Sequence, residues 1–315
     1  MQHLEGKKIL FISSDFFELR SSIQSEFKQL KLDVTYIANK PSYFGSLFNK
    51  IFKNYMNIFY KLYYFFKLFN KKDYDYIFVI NGEFIPYTQC ERLLKKNKDA
   101  KSILYCWDAF SSSTNSKKLY TLFDKRYSFS KVDCKTYRLT YKLLFFIYKT
   151  TSNDIKKYDY SVVASYSEDR YKKLQVIKNI LEKNNLTYFF HLFITEVGYY
   201  RESKRLNEKL DKDICKVKKI SNSQTSKIIS QSNCVIDLID PSHEGQSLRV
   251  FEAIGNDIKI LTTNTSIINE KFYDSKMIRL LNDKFIVDKE WLEYEGHYKN
   301  KEQYHISNWV KNFFE

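Results

Sequence analysis

Short apolar runs alternate with stretches of helical spacing along most of this 315-residue chain. The run KKILFIS, residues 7 to 13, follows the amino terminus, and SSDFFELRSSIQSEFKQLKLD after it repeats its apolar positions at helical spacing, which predicts a strand and then a helix. LDVTYIA predicts a second strand, YDYIFVING a third and KSILYCWD a fourth, with TQCERLLKKNKDA as the helix between the last two. Strands alternating with helices imply a parallel sheet covered on both faces. Ligands on such sheets bind beyond the carboxyl ends of strands. Those ends carry Ser14 and Asp15, then Asn81, Gly82 and Glu83, then Trp107 and Asp108.

A second series follows the polar stretch KTTSNDIKKYD, from Lys149 to Asp159, which predicts a linker and a division into residues 1–152 and 153–315. YDYSVVASY, LTYFFHLFI, NCVIDLID and IKILTTN read as strands, and SEDRYKKLQVIKNILEKNN and LRVFEAIGN as helices. The tail EQYHISNWVKNFFE predicts a last helix at about residues 301–315, assigned to the second domain. The pattern is that of an α/β chain with two similar halves.

One segment, within residues 41–72, departs from this alternation. From Val34 to Lys72 there is no acidic residue, while FGSLFNKIFKNYMNIFYKLYYFFKLFNKK interleaves aromatics with lysines. Such a helix can lie in an anionic membrane interface. It can equally be buried in the first domain with its lysine stems reaching water.

Composition narrows the function classes. With 43% hydrophobic residues the chain can bury a sizeable core, and its formal charge of +15 favours anionic partners. Nucleic acid is disfavoured: there is no zinc-finger spacing and no RNA-recognition signature, and the lysines interleave with Phe and Leu. Five cysteines are scattered and never spaced C-x-x-C, which implies reduced thiols in a cytoplasmic setting. The amino terminus lacks the layout of an export signal. No stretch reaches the roughly 18 apolar residues of a spanning helix.

The stretch PSHEGQSLRVFEAIGNDIKILTTN, Pro241 to Asn264, follows an apolar strand and opens a helix. Free N–H groups at a helix start attract phosphate, and Gly245 lets the backbone approach a ligand closely. Arg249 could add a bidentate phosphate contact, and Glu252, on the same face, could accept hydrogen bonds from sugar hydroxyls. The alternative is an ordinary amphipathic helix with an Arg249–Glu252 surface pair.

The stretch resembles the donor-binding region of glycosyltransferases of the two-domain GT-B fold, whose signature is Glu, seven residues and Glu, followed by Ala and a strand. EGQSLRVFEA fits that spacing and IKILTTN stands where the strand belongs. A narrower resemblance is to bacterial lipopolysaccharide and capsule biosynthesis proteins of spore-maturation-protein-like type, through Gly245, Ser247, Arg249, Glu252 and the segment Thr262 to Asn264. YDYIFVINGEF, KSILYCWDAF, FDKRYSFSKVDCKTYRL and YDYSVVASYSEDRYKKL are similar to successive segments of that family. Two positions depart from it: Asp257 stands where the broader signature has Gly, and Glu244 where the narrower family often has an uncharged residue.

The resemblance implies two Rossmann-like domains facing a cleft, the first taking the acceptor and the second a nucleotide-sugar donor, of UDP type. It implies that Glu252 binds the donor ribose, that Arg249 and Gly245 lie at the phosphates, and that Arg170 meets the same diphosphate. Ser247, Asn264 and Glu244 belong to this set. His191 could touch the base or the leaving phosphate, or be a satisfied core residue. A proton acceptor from the first domain would be Glu83, Asp108 or Asp15, each of which could instead be a helix cap or a loop ion pair. No D-x-D follows a strand, since DYD at Asp73 to Asp75 precedes one and DKD at Asp211 to Asp213 lies in a charged run, so no metal is expected. The activity implied is transfer of a sugar to a lipopolysaccharide, capsule or lipid-linked glycan, in the cytoplasm or at the inner face of its membrane. An inactive sugar-nucleotide-binding subunit is the alternative. A dinucleotide-dependent oxidoreductase would need a G-x-G-x-x-G after the first strand, which is lacking.

Overall fold

The structure, a computed structural model, describes residues 4–14, 18–41, 55–149, 155–239, 245–282 and 284–315. The chain divides into two compact units, Met1–Leu143 with Ile306–Glu315, and Leu144–His305.

The first unit holds the strands β1 (Lys8–Ser13), β2 (Asp33–Ala38), β3 (Tyr76–Ile80), β4 (Lys101–Cys106), β5 (Lys125–Ser128) and β6 (Thr140–Tyr141). They form one parallel sheet in the order β2-β1-β3-β4-β5-β6. The described helices are α1 (Leu19–Gln29), α2 (Met56–Leu68), α3 (Tyr87–Lys96), α4 (Thr114–Leu119) and α5 (Lys131–Tyr137). Leu10, Ile12, Ile77, Val79 and Leu104 pack on one face with Tyr64 of α2 and Leu93 of α3. On the other, Phe27 of α1 meets Phe11 and Phe78 edge-on, with ring centroids 5.3 and 5.6 Å apart. Burial on both faces explains why the central strands β1, β3 and β4 are continuous apolar runs rather than alternating ones.

The second unit repeats the plan with β7 (Tyr158–Ser165), β8 (Tyr188–Phe193), β9 (Cys215–Lys216), β10 (Ser232–Asp237), β11 (Lys259–Thr262) and β12 (Ile278–Leu280). This sheet is also parallel, in the order β12-β11-β10-β7-β8-β9. Its helices are α6 (Glu168–Lys183), α7 (Glu196–Leu206), α8 (Asn222–Ser230), α9 (Leu248–Gly255) and α10 (Lys289–Glu293). Ser167, Thr195 and Ser221 cap α6, α7 and α8 through their side chains, satisfying N–H groups that a helix start leaves open. Four strands absent from the sequence pattern, β5, β6, β9 and β12, have two to four residues each, too few to show a period.

The division differs from the one expected at 152/153. Residues 144–149 belong with the second unit, where the Phe146 N–H bonds the Tyr304 carbonyl at 2.9 Å. Residues 150–154 of the expected linker lie outside the described residues. The last helix, α11 (Ile306–Lys311), belongs to the first unit and not the second. Aromatic packing decides this: the Phe313 ring lies 4.8 Å from Phe78, 4.9 Å from Tyr127 and 4.7 Å from Trp309, and Phe314 is 4.9 Å from Tyr76. The chain end thus supplies one layer of the first sheet's cover.

Phe313→Ala should lower stability by about 3–5 kcal/mol, because the cavity it leaves lies between strands and helix that cannot collapse independently. The check is the urea midpoint, expected to fall with little change in slope.

Candidate functional site

In the second unit the chain winds from β7 to β8 and β9 on one side and through β10, β11 and β12 on the other, so winding reverses between β7 and β10. Open α/β sheets receive ligands outside the strand ends at such a point. Gly245 to Asn264, the described part of the stretch singled out in the sequence, follows β10 and runs through α9 and β11. Residues 240–244, Glu244 included, lie outside the described residues.

Asp237, the last residue of β10, is the polar centre of this end and has no access to water. Its Oδ1 accepts a hydrogen bond from the Ser247 hydroxyl at 2.7 Å and faces the Arg249 guanidinium at 3.2 Å, and its Oδ2 accepts from Thr262 at 3.2 Å. Arg249 also donates to the Val163 carbonyl of β7 at 2.9 Å. The Arg249–Glu252 surface pair does not form, because Arg249 turns to Asp237. Removing Arg249 alone would strand a buried carboxylate, a change costing about 3–5 kcal/mol. The sequence reading missed Asp237; its one signal is an acidic residue closing the apolar run NCVID.

Gly245 has φ of +80°, a conformation costly for other residues. Asn264, after β11, donates to the Gly245 carbonyl at 2.8 Å and to Gln246 Oε1 at 3.1 Å, fixing the entry to α9. Ser247 stands at the amino end of α9 without a side-chain cap, its hydroxyl spent on Asp237. Arg170, in the first turn of α6, donates to the Leu238 carbonyl at 2.8 Å and the Ser165 carbonyl at 3.1 Å, bridging the ends of β10 and β7. Gly245, Ser247, Arg249, Asn264 and Arg170 therefore gather at one end of one sheet.

Glu252 lies further along α9 and is buried. Its Oε1 accepts a 3.4 Å hydrogen bond from the Ile147 N–H, and its buried Oε2, with the Ser226 hydroxyl nearby, makes no hydrogen bond of ordinary geometry among the described residues. Burial pushes the carboxyl up to about 7, opposed by the Ile147 N–H and the Ser226 hydroxyl. His191 sits within β8, buried, its Nε2 without a hydrogen bond among the described residues; burial and then Lys216 hold its pKa below the usual value. Asp257, where the resembled signature has Gly, has φ of +54° and anchors the Tyr298 N–H at 3.0 Å and the Lys301 ammonium. A left-handed position that Gly fills elsewhere is held here by a side chain with its own partners.

In the first unit winding reverses between β1 and β3. Buried Asn39, past the end of β2, donates to Ser14 Oγ at 3.2 Å, and its Oδ1 accepts from the Tyr64 hydroxyl at 3.1 Å and the Phe84 N–H at 3.3 Å. Asn81, at φ +59°, accepts from the Trp107 N–H at 3.0 Å and donates to Asp108. These amides position the loops carrying Glu83 and Asp108. Partial dehydration and then the Asp108 charge raise the Glu83 carboxyl above its usual range, with Lys40 opposing, although the side chain stays open to solvent. Asp15 lies outside the described residues. Among the described residues no group of three or more His, Cys, Asp or Glu side chains is placed to hold a metal ion.

No protein family matches the sequence, and no curated protein is similar to it. Solved structures are similar in fold. A UDP-GlcNAc 2-epimerase of Methanocaldococcus jannaschii, solved with UDP-GlcNAc and UDP, superposes with a TM-score of 0.56 at 11% identity, covering 98% of each chain. MnaA of S. aureus, solved with UDP, gives 0.53 at 11% identity over 96% of this chain and 91% of that one. The lipopolysaccharide outer core galactosyltransferase WaaB gives 0.52 at 9% identity over 98% of each. The chain has the GT-B fold. In this GT-B chain two parallel sheets carry interleaved helices, and Asp237, Ser247, Arg249 and Arg170 in the second unit and Asn39 and Asn81 in the first gather at the winding reversals.

Because the folded-state value of Glu252 exceeds the ordinary 4.5, the native state holds a proton that the unfolded chain has released between about pH 4.5 and 7. Stability therefore falls as pH rises through that window, and the full penalty is present above about 7. Glu252→Gln should raise stability at pH 8 by on the order of 1–3 kcal/mol and by progressively less toward pH 5. Paired urea titrations of both proteins across this range provide the check.

Proposed function

We propose that the protein is a glycosyltransferase that moves a hexose from a nucleoside diphosphate sugar, of uridine type, to a cell-surface glycan: lipopolysaccharide, capsule or a lipid-linked oligosaccharide. The observation that carries this reading is Glu252, a buried carboxyl whose second oxygen makes no hydrogen bond of ordinary geometry among the described residues, on the helix that leaves the winding reversal. A carboxylate so placed suits the adjacent hydroxyls of a ribose, which would supply the missing donors. The fold shared with structures solved with UDP, and with a galactosyltransferase, supports the same class.

In this reading the acceptor hydroxyl gives its proton to Glu83, its oxygen bonds to the anomeric carbon, and the bond from that carbon to the donor phosphate breaks. Partial dehydration, and after it the neighbouring Asp108 charge, raises the proton affinity of Glu83, which improves it as a base. Negative charge on the departing diphosphate falls to Arg170 and the amide groups opening α9, with Arg249 acting through its hold on Asp237, so no metal is required. A 2-epimerase is a second reading, favoured by the M. jannaschii likeness.

Thermal shift against UDP, GDP, CMP, TDP and their sugars should single out a uridine nucleotide. Glu252→Gln, though more stable alone, should weaken that ligand roughly tenfold or more, since a charged acceptor is lost. The ligand shift of the wild type should fade below about pH 7, as Glu252 takes up its proton, and that of the variant should not. Nucleotide shifts equal in both proteins would overturn the ribose role, and no shift with any nucleotide would favour an inactive subunit. Glu83→Gln should leave ligand binding intact and lower kcat by roughly a hundredfold or more, measured as acceptor-dependent UDP release. Conversion of a UDP-sugar without acceptor would instead indicate epimerisation.

A further inference from the structure

Helix α2 is apolar on two faces. Tyr60, Tyr63, Tyr64 and Leu68 are buried against the first sheet, and the Tyr63 and Tyr64 hydroxyls donate to the Ala38 and Asn39 carbonyls at 2.9 and 2.8 Å. The opposite side presents Tyr55, Ile58, Leu62, Phe65, Phe66 and Phe69, each at least 40% exposed and Phe66 73% exposed. Their steps of three and four residues draw one stripe along the helix. A contiguous exposed apolar stripe rimmed by charged side chains marks an interaction surface.

Its surroundings are cationic. Lys61, Lys67 and Lys72 are exposed along and just past the helix, with Asp73 the one acid adjoining them in sequence, and Lys96 is exposed on adjacent α3, where Lys95 pairs with Glu91 at 3.1 Å. Lys96 caps the end of the stripe, donating to the Phe69 carbonyl at 2.8 Å with its ammonium 5.5 Å from the Phe69 ring centroid. No acidic residue occurs from Val34 to Lys72. A second copy docked through this face would set lysine against lysine without a carboxylate of its own segment to pair them. An anionic lipid surface answers both the apolar stripe and the charge.

We infer that α2 is an interfacial helix that lies flat in an anionic bilayer surface, with the stripe at the headgroup–acyl boundary and the lysines on lipid phosphates. No helix among the described residues is long and apolar enough to cross a membrane, so α2 docks in plane. The first turns of the helix lie at the strand ends that carry the Glu83 loop, where the Tyr60 and Phe84 rings are 4.9 Å apart. Docking would hold that loop near headgroup level, where a lipid-linked acceptor presents its sugar. The docking itself stands apart from the donor reading.

Flotation of the full chain with vesicles tests it. The protein should float with phosphatidylcholine vesicles containing phosphatidylglycerol at low salt, and stay behind with phosphatidylcholine alone or at about 0.5 M salt. Leu62→Ser with Phe66→Ser should reduce partitioning roughly tenfold or more, and Lys67→Gln with Lys72→Gln by roughly fivefold or more. These side chains are exposed, so an unchanged unfolding midpoint verifies that the variants fold. Failure of the wild type to float, or equal flotation of the Leu62/Phe66 variant, would overturn the inference. So would a concentration-dependent dimer in sedimentation that the Phe66 change abolishes. Nucleotide-induced thermal shifts on the same variants should be unaltered, so loss of lipid binding and loss of donor binding are read separately.

Discussion

A carboxylate sealed from water at the end of a strand organises the second unit. A buried carboxylate is costly without hydrogen-bonding and charged partners, and those of Asp237 come from different parts of the chain: Ser247 and Arg249 around the start of α9, and Thr262 at the end of β11. Arg249 then reaches across to the carbonyl of Val163 in β7. One buried charge thereby ties the two strands of the winding reversal to the helix leaving it. Such a pair is a poor source of net stability compared with an apolar core, but strongly constrains geometry, because any displacement exposes an unpaired charge to a medium of low polarity.

The first unit reaches a similar end with neutral groups. Asn39 and Asn81 spend their side-chain amides on neighbouring loops, and the left-handed backbone at Asn81 turns the chain so that its amide meets Trp107 and Asp108. Against these satisfied groups, Glu252 stands out. Its desolvation penalty is only partly offset by the Ile147 N–H and the Ser226 hydroxyl, and its second oxygen makes no hydrogen bond of ordinary geometry among the described residues. His191 Nε2 shares this condition among the described residues, but only the Glu252 carboxyl lies on the helix leaving the winding reversal, which is why it carries the functional reading.

Much of the fold was legible because burial on both faces leaves continuous apolar runs, as in KILFIS and YIFVI, and helices between them keep their own period. Short strands such as β6 and β9 were not, since two residues cannot display a pattern. The position of α11 was illegible for another reason. Its apolar period announces a covered face but not which sheet covers it, and Phe313 found Phe78 and Tyr127 across more than 180 residues of chain. In the site, Gly245, Ser247, Arg249 and Glu252 were visible as a spaced group. Asp237 was hidden, as an ordinary acidic residue at the end of a strand.

The sequence by itself determined the alternation of strands and helices, the doubling of that alternation, the basic aromatic segment and the grouping of polar residues after β10. These are local properties, set by spacing and side-chain chemistry. Tertiary structure alone decided that Arg249 faces Asp237 rather than Glu252, that Glu252 is buried, and that α2 keeps one apolar face for the core and leaves the other in water. Pairing and burial depend on what folding brings alongside from distant parts of the chain, and spacing carries no record of it.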